Sequence, residues 1–132
     1  MATVHRFEDL EIWQLAMDLC RRLYEITKEG DLSKDYRFKD QIRAASGSIM
    51  DNIAEGFERN GKGEFIQHLS IAKGSAGEVR SQLYRAFDQQ YFDKDQFDKL
   101  YNLAGEIASK TSNLISYLNA SDIRGSKFKN RK

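Results

Sequence analysis

The sequence predicts an all-α protein, an antiparallel up-down-up-down four-helix bundle, from three observations. Proline is absent from all 132 residues, so only glycines and Asn/Asp clusters interrupt the helix-forming residues. Apolar residues recur at separations of three and four in four long segments, which is the spacing of helix faces packed in a bundle. The links between these segments are short, and short links favour antiparallel neighbours. We expect one bundle domain over residues 1–120 and a basic tail over residues 121–132.

The first helix is predicted to start between Phe7 and Asp9 and to end near Lys28, before Gly30. It carries two apolar rows instead of one. Two rows predict two buried contacts, one inside the bundle and one with another subunit, although a central bundle helix would show the same pattern. The first row is Leu10, Trp13, Met17, Cys20 and Tyr24, and the second is Ile12, Ala16, Leu19, Leu23 and Ile26.

The second helix lies in the stretch from Asp40 to Gly63, which the other helices are expected to cover. Asp31 and Ser33 are the predicted caps before it. Beside its apolar face runs a polar row, which either satisfies its own hydrogen bonds at the bundle edge or contacts another subunit or partner. The apolar face is Phe38, Ile42, Ala45, Ile49, Ile53 and Gly56, and the polar row is Gln41, Ser48, Asn52, Glu55 and Arg59.

The third and fourth helices have regular heptad spacing. A flank of the third helix combines cations with aromatic side chains at Lys73, Arg80, Tyr84 and Tyr91. Such a flank is compatible with nucleic-acid binding, and it is also common on ordinary surfaces. Asp93 or Asp95 is expected to cap the fourth helix. The predicted core positions are Phe65, Leu69, Ala72, Ala76, Val79, Leu83 and Ala86, then Phe97, Leu100, Ala104, Ile107, Thr111, Leu114 and Leu118.

The sequence gives no reason to predict an enzyme. The two histidines are His5 and His68, and neither falls in the Glu-x-x-His pattern of di-metal bundles. Cys20 is the single cysteine, which we interpret as a small buried side chain in a reducing compartment. We expect no catalytic residue, no cofactor, no metal and no small-molecule substrate. Because no apolar run approaches about 18 residues, we also expect a cytoplasmic protein with no membrane partner.

The charge is unevenly distributed along the chain. Of the net charge of +1, the tail after Ala120 carries +4, from five basic residues and one acid, so the body carries −3. This asymmetry suggests a polyanionic partner, although short charged ends also serve solubility alone.

A family resemblance covers roughly Phe7 to Leu118. The stretch QIRAASGSIMDNIAEGFERN resembles the signature of the 23S rRNA intervening-sequence protein family, approximately QIRRAAVSIPSNIAEG followed by Arg, and FIQHLSIAKGSAGEVRSQLYRA and FEDLEIWQLAMDLCRRLYEIT are similar to its other helices. Met50 stands where the family usually has proline, and Gly47 where a β-branched residue is common. Because both exchanges alter helix propensity, the local geometry of the second helix can differ from the family's.

The resemblance implies four-helix bundles that assemble as five-fold rings and are encoded within intervening sequences of large-subunit rRNA genes. It also implies kinship with the accessory variability determinant proteins, which assist reverse transcriptases of bacterial diversity-generating retroelements. The leading hypothesis is therefore a non-catalytic homo-oligomeric scaffold, most simply a pentamer, that binds RNA, DNA or a reverse transcriptase. The alternative is a protein–protein interaction module with no nucleic-acid role. The predicted nucleic-acid-binding residues are Arg43, Arg59, Lys62, Lys73, Arg80, Arg124, Lys127, Lys129, Arg131 and Lys132, and the predicted oligomer or structural seam is Gln41, Ser48, Asn52 and Glu55.

Overall fold

The computed structural model describes residues 4–121, and all regular structure in that range is helical. This confirms the prediction of an all-helical chain with four long helices. Residues 122–132, which make up nearly all of the predicted tail, lie outside the described residues. The elements are a short 3-10 helix at Phe7–Asp9, α1 at Glu11–Ile26, a second 3-10 helix at Asp31–Lys34, α2 at Tyr36–Glu58, α3 at Lys62–Asp88 and α4 at Lys94–Ala120.

The first helix is shorter than the sequence suggested. Residues 7–9 form a separate 3-10 turn, and Leu10 is extended, with φ −74° and ψ 129°, before α1 begins. At the other end, the Thr27 hydroxyl donates a 2.6 Å hydrogen bond to the Leu23 carbonyl. Gly30 then takes φ 58° and ψ −154°, a conformation essentially restricted to glycine, and it precedes the second 3-10 helix instead of capping α1, whose C-cap is Thr27.

The cap of α2 is also displaced from its predicted place. Asp31 and Ser33 belong to the second 3-10 helix, and it is Asp35 that accepts a 3.2 Å hydrogen bond from the Phe38 N–H. In the fourth helix the cap is Asp93, which forms a reciprocal capping box with Gln96.

The turn between α2 and α3 has an asparagine at its left-handed position and glycines on either side of the start of α3. Asn60 adopts the left-handed conformation, with φ 64°, as asparagine tolerates better than most residues. Gly61 is the extended N-cap of α3, and Lys62 and Gly63 already lie inside that helix. The connection is therefore only three residues long, so α2 and α3 pack closely.

The predicted core faces of α2, α3 and α4 are buried at every position. The two apolar rows of α1 are buried to different degrees. In the inner row Ile12, Ala16, Leu19 and Leu23 are buried and Ile26 is partly buried, whereas in the other row Met17 is 38% exposed and Tyr24 46% exposed. The α1 helix therefore presents a second apolar row that is uncovered at Met17 and Tyr24.

Cys20 lies on this second row and is half-buried. Burial raises the pKa of its thiol, and a hydrogen bond with Ser46 partly offsets the rise. Within residues 4–121, the long helices are all too polar to cross a membrane.

Candidate nucleic-acid interface

The polar row of α2 makes contacts within the chain. Asn52 Nδ2 donates to the Ser48 carbonyl at 2.9 Å and to Ser48 Oγ at 3.1 Å. From α3, Ser75 Oγ donates to Ser48 Oγ at 3.0 Å, and His68 Nδ1 lies 3.1 Å from Asn52 Oδ1. Two of the four predicted seam residues, Ser48 and Asn52, therefore join α2 to α3 inside one subunit.

A glycine makes this junction possible. A Cβ placed on Gly56 would lie 2.5 Å from the His68 Cβ and 3.3 Å from a ring carbon of Phe65. No larger residue fits at that position without a shift of the α3 backbone. The two helices are therefore in close contact beside the polar junction.

The remaining seam residues, Gln41 and Glu55, are placed differently. Glu55 accepts a 2.8 Å ion pair from Arg59, one turn away, and both side chains are about half exposed. Gln41 is exposed and lines a groove of about 440 Å³ between α2 and α3, together with Glu78, Gln82 and Arg85. These two positions remain accessible to another molecule.

Arg43, the first of the predicted nucleic-acid-binding residues, has a structural role in the described chain. Its guanidinium lies 4.2 Å from the centre of the Tyr24 ring, and its Nε donates to Thr27 Oγ1 at 2.9 Å. A third contact reaches the Tyr24 carbonyl at 3.4 Å. Arg43 therefore ties α2 to the C-terminal end of α1, where a cation is favourable.

Lys62 is the first residue of α3 and lies close to the end of α4, and Arg59, three residues earlier, is the C-cap of α2. Lys62 Nζ donates a 2.8 Å hydrogen bond to the carbonyl of Ser121, the residue at which the described chain ends. Arg124, Lys127, Lys129, Arg131 and Lys132 follow in the sequence and lie outside the described residues. The described part of the chain therefore ends beside Lys62.

Lys73 and Arg80 share one face of the bundle, formed by α3 and α4. Lys73 is exposed, with Nζ 3.4 Å from Ser112 Oγ on α4. Arg80 lies over the Tyr101 ring, with 5.8 Å between the guanidinium carbon and the ring centre. Hydrogen bonds from Tyr84 and from Arg80 lower the pKa of the Tyr101 hydroxyl. The arginine is therefore held beside a pair of tyrosines.

The tyrosines belong to a larger aromatic cluster. The Tyr84 ring centre lies 5.3 Å from that of Tyr101 and 5.1 Å from that of Phe97, and Phe87 is 5.1 Å from Phe97. Tyr84 is 55% exposed although it makes these contacts. We call Lys73, Arg80, Tyr84, Phe87 and Tyr101 the aromatic–cation surface.

Sequence reasoning identified only part of this surface. It singled out Lys73, Arg80 and Tyr84, but it placed Tyr91 with them and left out Phe87 and Tyr101. In the structure, the Tyr91 hydroxyl donates a 2.6 Å hydrogen bond to Asp35 at the start of α2. Helical spacing relates residues on one helix, whereas the meeting of Tyr84 with Tyr101 depends on the register between two helices.

Comparison with known proteins places the chain in a family. The profile described as 23S rRNA-intervening sequence protein matches residues 8–113. A crystal structure from Bacteroides thetaiotaomicron, of a protein with unknown function from the S23 ribosomal protein family, superimposes with a TM-score of 0.72. That match has 22% sequence identity and covers 79% of this chain and 97% of the other, so it supports the fold alone. No curated protein gives a significant match.

Proposed function

The chain belongs to the 23S rRNA-intervening sequence protein family, and we propose that it is a non-catalytic, homo-oligomeric scaffold. In this proposal it binds RNA or DNA in the cytoplasm, or binds an enzyme that acts on nucleic acid, such as a reverse transcriptase of a diversity-generating retroelement. The family name connects its members with ribosomal RNA. Further support comes from the positions of the cations and of the uncovered apolar row among the described residues.

The scaffold we propose is an up-down-up-down antiparallel bundle, and three contacts between the helices support it. The Tyr91–Asp35 bond joins the α3–α4 connection to the start of α2. Lys110, late in α4, forms a 3.0 Å ion pair with Glu11, the first residue of α1. The Lys62–Ser121 bond joins the start of α3 to the end of α4. In an antiparallel bundle, each of these pairs lies at one common end.

The proposed oligomer is a closed ring, most simply a pentamer, and the α1 surface supports it. Met17 and Tyr24 are exposed apolar side chains on the same row as the half-buried Trp13 and Cys20. An apolar row at helical spacing buries well against a second helix. Size-exclusion chromatography with light scattering is expected to report about five times the 15.2 kDa chain mass. A monomer at micromolar concentrations would remove the ring from the proposal.

One observation supports nucleic-acid binding most directly, namely the contact between Lys62 and the Ser121 carbonyl. Lys62 contacts Ser121, after which the five tail cations follow in the sequence, and Arg59 is three residues before Lys62. In this proposal, basic groups from two parts of the sequence share one end of the subunit. Five chains in a ring would contribute 25 tail cations. Many weak phosphate contacts that act together give strong, salt-dependent binding.

The test is direct binding of labelled RNA and DNA to the full chain at about 50 mM salt. We expect binding to both, with little dependence on sequence, because phosphate contacts carry no base information. Recovery of bound RNA and protein from cells then separates nucleic acid from a partner enzyme. Absence of binding at this salt concentration would favour the protein–protein interaction module, for which the uncovered α1 row is the specific support.

A further inference from the structure

We propose that the aromatic–cation surface binds single-stranded nucleic acid by stacking its bases on Tyr84 and Phe87 and pairing its phosphates with Arg80 and Lys73. This inference rests on the proposed function and assigns a face of the body, formed by residues other than those of the basic tail, to a specific nucleic-acid form. Four features of the α3–α4 face support it: register, ring exposure, charge and open space.

The register of the two helices produces a continuous strip. On α3, Lys73, Gly77, Arg80, Tyr84 and Phe87 follow one another at separations of four, three, four and three, so they share one face. The Lys73–Ser112 contact and the Tyr84–Tyr101 contact fix the neighbouring row of α4 beside this face. Cations therefore occupy one half of the strip and aromatic rings the other.

The rings are held in place while one of them remains largely open. Tyr101 stacks on Phe97, with ring centres 5.3 Å apart, and it also lies beneath the Arg80 guanidinium. Tyr84 packs at an angle on both rings and keeps more than half of its surface exposed. A ring fixed in advance loses little conformational entropy when a base stacks on it.

The middle of the strip contains two glycines, so it has backbone without side chains there. Gly77 on α3 and Gly105 on α4 are both partly buried, yet a Cβ at either position would meet nothing within 4 Å. A helix-interior glycine costs about 1 kcal/mol relative to alanine, and packing within the subunit does not account for either one. In the register of the strip both glycines lie between Lys73 and the rings, at or before the level of Arg80, and open backbone there leaves room for a ligand beside the cations.

The charge distribution favours a polyanionic ligand and predicts the direction in which its phosphates run along the surface. On α3 the row runs from Lys73 to Phe87 at separations of three and four, and on α4 the facing row runs from Tyr101 to Ser112 at the same separations. Both rows contain cations and neutral residues. Carboxylates follow beyond the rings, where Asp88 and Asp93 line a groove of about 860 Å³ with Tyr84 and Phe87. Phosphates are therefore expected to run from the rings toward Arg80 and Lys73, away from the two acids.

Single-stranded nucleic acid fits this surface better than a duplex does. Bases in a duplex are already stacked, so their faces are not available to a protein ring, whereas a single strand offers each base face for stacking. Cations with aromatic side chains along a groove are the combination that binds single strands with little sequence preference. A second copy of this chain, in a two-fold contact, would set the same cations against each other, which is repulsive.

The test compares binding of a labelled oligouridylate of about 16 nucleotides and of a duplex of equal length by fluorescence anisotropy. Tyr84→Leu keeps an apolar side chain and removes the ring, whereas Tyr84→Phe keeps the ring. We expect Tyr84→Leu to weaken oligouridylate binding by about five- to a hundredfold and to leave duplex binding unchanged. Tyr84→Phe should bind like the wild type. Tyr36→Leu, which removes a tyrosine that is 67% exposed on α2, is the matched control.

A second measurement uses the wild-type chain and so does not depend on the folding of a variant. Ultraviolet crosslinking to oligouridylate, followed by peptide mapping, is expected to mark residues 80–101. Crosslinks elsewhere, or equal oligouridylate binding by Tyr84→Leu and wild type, would overturn the inference and leave the proposed function standing. A smaller assembly for Tyr84→Leu would also overturn it and assign the surface to subunit contact. Failure of every nucleic acid to bind the wild type would overturn both proposals.

Discussion

The Oδ1 of Asn52 on α2 lies 3.1 Å from Nδ1 of His68 on α3, and the Nδ2 of the same amide donates to Ser48. One asparagine therefore uses both ends of its amide to join two helices. A half-buried polar group contributes to the free energy of unfolding mainly because its removal leaves its hydrogen-bond partners unsatisfied.

Asn52→Ala should lower the free energy of unfolding by about 1–2 kcal/mol, because Ser48 and His68 lose a partner. Urea denaturation followed by circular dichroism measures the change. Asn113→Ala, at an exposed position of α4, is the control and should be neutral or slightly stabilising, because alanine favours a helix. Unaltered unfolding of Asn52→Ala, together with a smaller assembly, would instead assign Asn52 to a subunit interface.

Gly56→Ala should destabilise the chain by about 1–3 kcal/mol, because its Cβ would lie 2.5 Å from the His68 Cβ. Gly47→Ala is the matched control on the same helix, since a Cβ there meets nothing within 4 Å. It should stabilise by roughly 0.5–1 kcal/mol through helix propensity. Equal stability of the two variants in thermal unfolding would contradict the close α2–α3 approach.

The Tyr91–Asp35 bond predicts a pH dependence with a definite sign. The bond lowers the pKa of Asp35 below 3.8 and raises the pKa of Tyr91 above 10.0. A lowered carboxyl pKa gives stability that is present above the unfolded value and lost as pH falls through the folded value, and a raised tyrosine pKa gives stability lost at alkaline pH. The contribution should therefore be present at pH 7 and absent at both extremes.

Tyr91→Phe tests this dependence, because it removes the hydroxyl and keeps the ring contact with Phe38. Its urea midpoint should be lower than that of the wild type at pH 7, and the difference should close as the pH falls through the lowered pKa of the Asp35 carboxyl. Tyr36→Phe, at an exposed tyrosine, should show no difference at either pH. A difference between Tyr91→Phe and wild type that is the same at every pH would show that the bond is not linked to titration.

Apolar periodicity was sufficient to predict most of the fold. The positions spaced by three and four on α2, α3 and α4 are buried because burial of apolar area is the dominant favourable term in folding. Helix ends were harder to place. Asp31, Ser33 and Asp35 are all favourable N-cap residues by type. The 3-10 turn at Asp31–Lys34 determines which one is used.

Helical periodicity does not predict which partners the side chains of the polar row and the cations contact. Spacing put Ser48, Asn52 and Glu55 in one predicted row, but Ser48 and Asn52 meet α3 whereas Glu55 pairs with Arg59 and stays half exposed. This difference depends on tertiary packing. Arg43 and Arg80 look alike in sequence, and one holds the end of α1 while the other lies over Tyr101. Such differences arise from contacts between residues distant in sequence, which a helical pattern does not encode.

The uncovered row of α1 gives a prediction for the assembly. Met17→Asp should convert the proposed ring to smaller species, because a charge at a buried apolar contact is costly, and should leave the helical content of each chain intact. Ile71→Asp is the control, since Ile71 is 47% exposed on α3. Light scattering distinguishes the two variants. An unchanged mass for Met17→Asp would place the subunit interface on another face.

We expect the chain to bind nucleic acid chiefly through its clustered cations, and the salt dependence of the affinity tests this expectation. The full chain and a chain ending at Ser121, which keeps the carbonyl bound by Lys62, are titrated with one labelled RNA at several salt concentrations. We predict a steep fall of log affinity with log salt for the full chain. For the shortened chain, the slope should decrease by about 0.7–0.9 for each phosphate that the tail no longer neutralises, which amounts to several units for five cations. Equal slopes for the two chains, or no binding by the full chain at about 50 mM salt, would contradict the account.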